Sequence, residues 1–210
     1  MLTALLLRAK ITVSTSKAPK TLDARPYHHG DLRAALVGEG LRLVEEAGAE
    51  ALSLREVARA AGVSATAVYR HFPDKRALMT ALALEGVRRL GEAQAHAAAQ
   101  AGSGAAAFTA TGLAYVDFAL TNPGLFRLTF TYPGIAIGDP GSDAAASLLH
   151  HHALELAQGD NRLARVIALR AWALVHGLAL LILDGRVPHD DALIEATVAA
   201  AALAQDTSCP

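Results

Sequence analysis

Apolar residues recur along this chain at spacings of three and four, and the polar residues between them supply start and stop signals for helices. From His29 to Ala47 the residues Leu32, Leu36, Leu41, Leu43 and Val44 fall at helical spacing, with Gly48 just past the end as a left-handed cap. Ser53, with Glu56 three residues on, is the sequence form of a capping box, and Leu54, Val57, Ala58 and Ala61 make the apolar stripe of a short helix. Gly62 follows where the chain must turn left-handed, a conformation that glycine adopts at low cost, and Val63 fills the corner. Ser64 then caps a second short helix, Ala65 to His71, with Val68 and Phe72 beneath it and Ala65, Thr66, Tyr69, Arg70 and His71 turned outward. Pro73 ends that helix by denying an amide. Asp74 caps a third, running from Lys75 toward Gln100, whose first turn brings Lys75 and Arg76 beside the outward face. Two helices and a tight turn with a polar, cationic outer face predict a helix-turn-helix able to enter a major groove.

The remainder reads the same way. Gly102, Ser103 and Gly104 break the chain, a helix over 105–120 carries Phe108, Leu113, Tyr115, Val116 and Phe118, and Asn122-Pro123-Gly124 marks the next boundary. A short helix with Leu125, Phe126, Leu128 and Phe130 follows, ended by Tyr132-Pro133-Gly134, and then a loop from Gly134 to Gly141. Residues 143–157 predict a helix closed by Gly159, and Asp160 or Asn161 starts a strongly apolar one to Leu183. Pro188, Asp190 and Asp191 begin a last helix through Leu203. Period-two alternation is hard to find, so the fold class is all-α. The last two helices are apolar nearly all round, which predicts pairing with their copies in a second subunit.

Three regions result: a flexible basic arm over 1–26, a helix-turn-helix domain over 27–74, and a helical body over 75–205 that the helix from Lys75 enters as a lever. The arm carries Arg8, Lys10, Lys17, Lys20 and Arg25, read either as a phosphate or minor-groove contact or as a tail with incidental cations. Tyr27, His28 and His29 stand close enough to the first helix to approach a phosphate.

Charge sharpens the division. Residues 1–89 hold 14 Lys plus Arg against 9 Asp plus Glu, net +5, while residues 90–210 hold 5 against 11, net −6, which together give the formal −1 of the whole chain. A basic amino-terminal part on an acidic body suits a DNA-binding module joined to a part that does not touch phosphate. With 52% hydrophobic residues in 210, the chain can bury a substantial core. The one cysteine, Cys209, allows no internal disulfide, and a reducing, cytoplasmic setting is expected. The opening MLTALLLRAK has no positive charge ahead of its apolar hexamer and fails as a signal peptide. No apolar run is expected to span a membrane: VIALRAWALVHGLALLILDG comes closest, but Arg170 and His176 interrupt it, and a buried core helix is predicted there.

The pattern G-V-S-x-x-x-V-Y-R-H-F-x-D-K from Gly62 resembles the DNA-binding domain of the TetR/AcrR family of bacterial repressors, over roughly residues 29–80. The runs A-L-T-N-P-G-L-F-R-L-T-F at 119–130 and W-A-L-V-H-G-L-A at 172–179 are similar to the WHG-type carboxy-terminal domain of one branch of such regulators. The resemblance implies a homodimeric repressor on a palindromic operator of double-stranded DNA, released by a small effector, with positions matching Ser64 to Tyr69 and His71 making most contacts. On the residues themselves, Tyr69, His71 and Lys75 are candidates for phosphates, and Arg55, Ala65, Thr66 and Arg70 for base edges. Ala65 departs from a hydrogen-bonding reader, since the most it offers is apolar contact with a thymine methyl.

The effector is expected in a cavity of the body walled by Phe108, Tyr115, Phe118, Phe126, Phe130 and Trp172, with His176 four residues from Trp172 on the same helical face, and an apolar or amphipathic molecule is expected to fill it. For His176 the competing reading is a core histidine hydrogen-bonded inside, with Gly177 allowing close approach of another helix. Two alternatives stand beside a ligand-released repressor: a helix-turn-helix regulator controlled by a partner protein, and a metal-dependent enzyme using the histidine clusters with Asp117 or Asp184. The second is disfavoured, because no glycine-rich phosphate loop, nucleophile elbow or HExxH spacing occurs, and the adjacent His150, His151 and His152 point about 100° apart and cannot all bind one metal. No catalytic residue, cofactor or metal is predicted.

Overall fold

Helix caps set where this chain bends. The computed structural model describes residues 32–133 and 143–203, and those from Arg33 onward fall in one compact unit. The basic arm, Tyr27, His28, His29 and the loop from Gly134 to Gly141 lie outside the described residues. The elements are α1 (Leu32–Ala47), α2 (Leu54–Ala60), α3 (Ala65–His71), α4 (Lys75–Ala101), α5 (Gly104–Thr121), α6 (Pro123–Thr131), α7 (Ala144–Leu156), α8 (Asn161–Leu183) and α9 (Asp191–Leu203), with no strand among the described residues. The fold is all-α.

Six starts are fixed by the side chain just ahead of the helix, that of α9 by Asp190, which accepts the Leu193 amide at 3.1 Å. Ser53 Oγ accepts the Glu56 amide and Ser64 Oγ the Ala67 amide, both at 3.2 Å. Asp74 and Asp143 accept the amides of Ala77 and Ala146, each at 2.7 Å. Asp160 takes two, from Arg162 and Leu163. Each such cap stabilises its helix by about 1 kcal/mol. The capping box differs in one detail from its sequence form: the Glu56 carboxylate accepts the Ser53 hydroxyl at 3.0 Å.

α1, α2 and α3 close on a core of Leu36, Val44, Val57, Val68 and Phe72, all within 1% of full burial. The corner between α2 and α3 turns at Gly62, φ +67°, with the Val63 amide donating back to the Ala58 carbonyl. α4 is the central strut, packing against α5, α6 and α7, while α5 packs on α7, α8 and α9.

Two absent side chains seat α6. A Cβ on Gly86 of α4 would fall 2.0 Å from Thr129 Oγ1, and one on Gly124 would fall 2.7 Å from the Val44 carbonyl of α1. α6 therefore lies against both helices. The Glu45 carboxylate, in the last turn of α1, accepts the Gly124 amide at 2.9 Å and the Leu125 amide at 2.8 Å. At the other end the Tyr132 hydroxyl donates to the Arg76 carbonyl of α4 at 3.1 Å.

The expectation for α8 needs correcting. The helix is 23 residues long and by length and composition is apolar enough to cross a membrane, since two polar interruptions do not lower its mean hydropathy enough to exclude it. Nor is it a buried core helix, because only 17% of its most apolar stretch is buried within the chain. Ala164, Ile167, Val175 and Ala179 face inward, whereas Leu163, Val166, Leu169 and Leu181 are exposed. On α9, Ile194 and Val198 are buried and Leu193 is exposed.

Candidate functional site

α3 is too short to be stable alone. It is held by its Ser64 cap, by Val68 and Phe72 buried beneath it, and by the Phe72 amide closing on the Val68 carbonyl. Its outer face is thereby fixed. Ser64, Ala65, Thr66, Tyr69, Arg70 and His71 are all exposed there, and Arg55 on α2 and Lys75 at the start of α4 are exposed with them. Tyr69 leaves 49% of its surface in water, so its ring and hydroxyl are both free to meet a partner. Lys75 has one structural bond already, its Nζ donating to the Glu50 carbonyl at 2.8 Å, which ties the turn after α1 to the start of α4. Arg33 lies over the Phe72 ring at 5.3 Å, a cation–π contact that pins α1 to the end of α3. The whole presents hydroxyl, phenol, guanidinium and ammonium groups on one exposed surface.

The body holds a cleft of about 620 Å³ of atom-free space, solvent at its mouth included. Of the residues singled out from sequence, Phe108, Tyr115, Phe130 and Trp172 line it. Phe126 and His176 stand behind them in one aromatic stack, the His176 ring 5.0 Å from Phe130 and 5.5 Å from Phe126. Phe118 is buried but is not part of the lining. Sequence reasoning missed Gln94, Thr111 and Val198, which also line the cleft. Gln94 had a signal: it is the polar member of the stripe Val87, Leu90, Gly91, Gln94, Ala98 that α4 buries.

Polar contacts in the stack form one chain. Trp172 Nε1–H donates to the Tyr115 hydroxyl at 3.3 Å, and that hydroxyl donates to His176 Nδ1 at 2.8 Å. Burial raises the Tyr115 hydroxyl well above its ordinary value, an effect the Trp172 bond partly offsets. Burial likewise lowers His176, so the neutral imidazole that accepts the Tyr115 proton is favoured. With the folded value below the unfolded one, the unfolded chain binds more protons in that window. The contribution of His176 is therefore fully present above about 6.5, the ordinary histidine value, and is lost as pH falls below it. In thermal melts between pH 7.5 and 5.5 the wild type should lose more melting temperature than His176→Gln. Equal losses would mean that His176 is not buried against Tyr115.

Of the clustered histidines on α7, His151 and His152 both turn to Glu155: His152 Nδ1 lies 3.3 Å and His151 Nε2 3.5 Å from its carboxylate oxygens. The nearest polar atoms of these three side chains all lie within 4.8 Å of one another, a convergence that the shared carboxylate accounts for.

A sequence profile described as bacterial regulatory proteins, tetR family, matches residues 36–82, and one described as tetracyclin repressor-like, C-terminal domain, matches residues 108–203. The second match spans both carboxy-terminal motifs noted above. No curated protein matches. Among solved structures, a protein with unknown function from Rhodococcus sp. RHA1 is 36% identical with a TM-score of 0.71, the alignment covering 86% of this chain and 96% of that one. A TetR family transcription regulator from Marinobacter aquaeolei VT8 is 21% identical, TM-score 0.63, covering 82% of this chain and 94% of the other. TetR from Acinetobacter baumannii AYE is 18% identical, TM-score 0.61, covering 82% and 95%. The last two show likeness of fold alone.

Proposed function

Because the chain belongs to the tetR family of bacterial regulatory proteins, and is thus a DNA-binding transcription regulator and not an enzyme, we propose that it is a cytoplasmic homodimeric repressor. In that role α3 of each subunit enters successive major grooves of a palindromic operator, and a small, largely apolar effector in the body cleft releases it. The observation that carries this reading is the exposed face of α3, capped at Ser64 and seated on the buried Val68 and Phe72. Tyr69, His71 and Lys75 hold phosphates, which gives a salt-dependent attraction blind to sequence, and Arg55, Thr66 and Arg70 read base edges. Ser64 and Ala65 sit where the helix meets the groove, Ala65 against a thymine methyl. The boundary between reading domain and body falls at the start of α4. The cleft lining of Phe108, Tyr115, Phe130 and Trp172 supports an apolar effector.

Fluorescence anisotropy with duplex DNA from the region flanking the gene tests the reading face. Tyr69→Ala should weaken binding to specific and random duplexes alike and flatten the salt slope by roughly one unit for the lost phosphate contact. Helicity should stay unchanged, since Tyr69 is exposed. Full operator affinity in that variant at moderate salt would place the DNA surface elsewhere.

A further inference from the structure

Gln94 is 5% exposed, on the face of α4 that the body buries. Its amide is oriented by a partner that can only accept: Nε2 donates to the Thr111 carbonyl at 3.1 Å, so Oε1 faces the other way. There Oε1 is buried and meets no donor among the described residues. The side chain lines the cleft, where three neighbouring donors are already spent, Trp172 N–H on Tyr115, Tyr115 O–H on His176, and the Thr111 hydroxyl on the Phe108 carbonyl at 2.7 Å. Asp143, the charged residue of the lining, spends a carboxylate oxygen on the cap of α7. A buried acceptor without a donor is costly to the folded chain, and a ligand that brings one recovers that cost on binding.

We propose that the effector is a neutral, mostly apolar molecule with an N–H or O–H group, and that this group donates to Gln94 Oε1. Resting on the effector-cleft reading above, the assignment adds the feature that selects among apolar molecules. A ligand with acceptors alone gains nothing from Gln94 Oε1, and a carboxylate would lose its water in a lining that is mostly apolar. Apolar area supplies the bulk of the affinity, while Gln94 separates donors from their alkylated analogues, because a site built to pair a polar hydrogen discriminates against the molecule lacking it.

The test uses one pair of probes, 4-propylphenol and 4-propylanisole, which differ by an O–H replaced with O–CH₃. Titration calorimetry on the full chain should show the phenol binding roughly tenfold tighter than the ether, the factor one buried hydrogen bond supplies. In Gln94→Leu the ratio should fall to about one, chiefly through weaker phenol binding, and Gln94→Met should repeat the result if the leucine variant does not fold. Equal binding of both probes to the wild type, or a phenol preference that survives in the variants, overturns the assignment. Equal binding with operator release by both probes removes the Gln94 anchor and leaves the cleft standing, whereas failure of both probes to bind removes the cleft reading with it.

Discussion

Leu181→Asp combined with Leu193→Asp should convert the protein from a species of twice 21.8 kDa to a monomer of 21.8 kDa at micromolar concentration, and should abolish operator binding under conditions where the parent saturates. Five of the seven large apolar residues exposed among the described residues, Leu163, Val166, Leu169, Leu181 and Leu193, lie on α8 and α9. Between them on α8, Gly177 has open space where a Cβ would stand, so another backbone can come close. An isologous contact uses each residue twice. Covering one such leucine stabilises the pair by about 1.5–3 kcal/mol, and burying an unpaired carboxylate in its place costs several more. Four carboxylates in one seam exceed what the remaining contacts can offset. Ile194 packs inside its own chain, so charging it would test folding rather than assembly. Leu181 and Leu193 are half exposed in the single chain, so the helicity of the double variant should be unchanged.

The loss of DNA binding follows from linkage. Once one reading helix is docked, the second binds at an effective concentration set by the dimer, worth a factor of about 10²–10⁴. Light scattering and anisotropy on the same samples read both effects. A double variant that stays dimeric places the seam elsewhere, and a wild type that is monomeric in buffer and binds detergent would give the apolar face of α8 a different partner.

Local signals made the amino-terminal half legible. Ser53, Ser64 and Asp74 announce three helix starts, Gly62 the turn between two of them, and each signal acts within four residues. The outward face of α3 follows from its register alone. The cleft was only half legible: Phe108, Tyr115, Phe130 and Trp172 were foreseeable as a cluster of large rings, but which rings face empty space depends on how six helices pack. Phe118 is a buried ring on the same helix as Tyr115 and does not line the cleft. The Glu45 contacts with Gly124 and Leu125 join residues 79 and 80 positions apart, and no periodicity encodes them. Nor could composition tell α8 from a core helix, because its inward and outward faces are both apolar.

Those Glu45 contacts carry the second large effect: Glu45→Ala should leave operator binding by the free protein nearly intact and remove most of the response to ligand. α6 touches both sites of the proposed switch. Phe130 lines the cleft, the Glu45 carboxylate in α1 holds the first amides of α6, and the Tyr132 hydroxyl just past its end holds the first turn of α4. A ligand pressing on Phe130 displaces α6, and the displacement reaches the reading unit in proportion to how firmly α6 is tied to α1. A carboxylate accepting two amides at a helix amino terminus is a charge-assisted cap, worth up to about 1.5–3 kcal/mol per bond and less here because Glu45 is exposed. Coupling between sites is typically 1–3 kcal/mol, a factor of about 5–150, so this tie is of the size needed to carry it. With 4-propylphenol as the probe, the parent should lose operator affinity by a factor in that range, and Glu45→Ala by less than about threefold. Gly124→Ala should act in the same direction by another route, since its Cβ would meet the Val44 carbonyl at 2.7 Å and pry α6 from α1. Reciprocity supplies an internal check: operator DNA should weaken probe binding in the parent by the same factor, and scarcely in either variant. If both variants release the operator as the parent does, the signal travels from the cleft along α4 without the tie to α1.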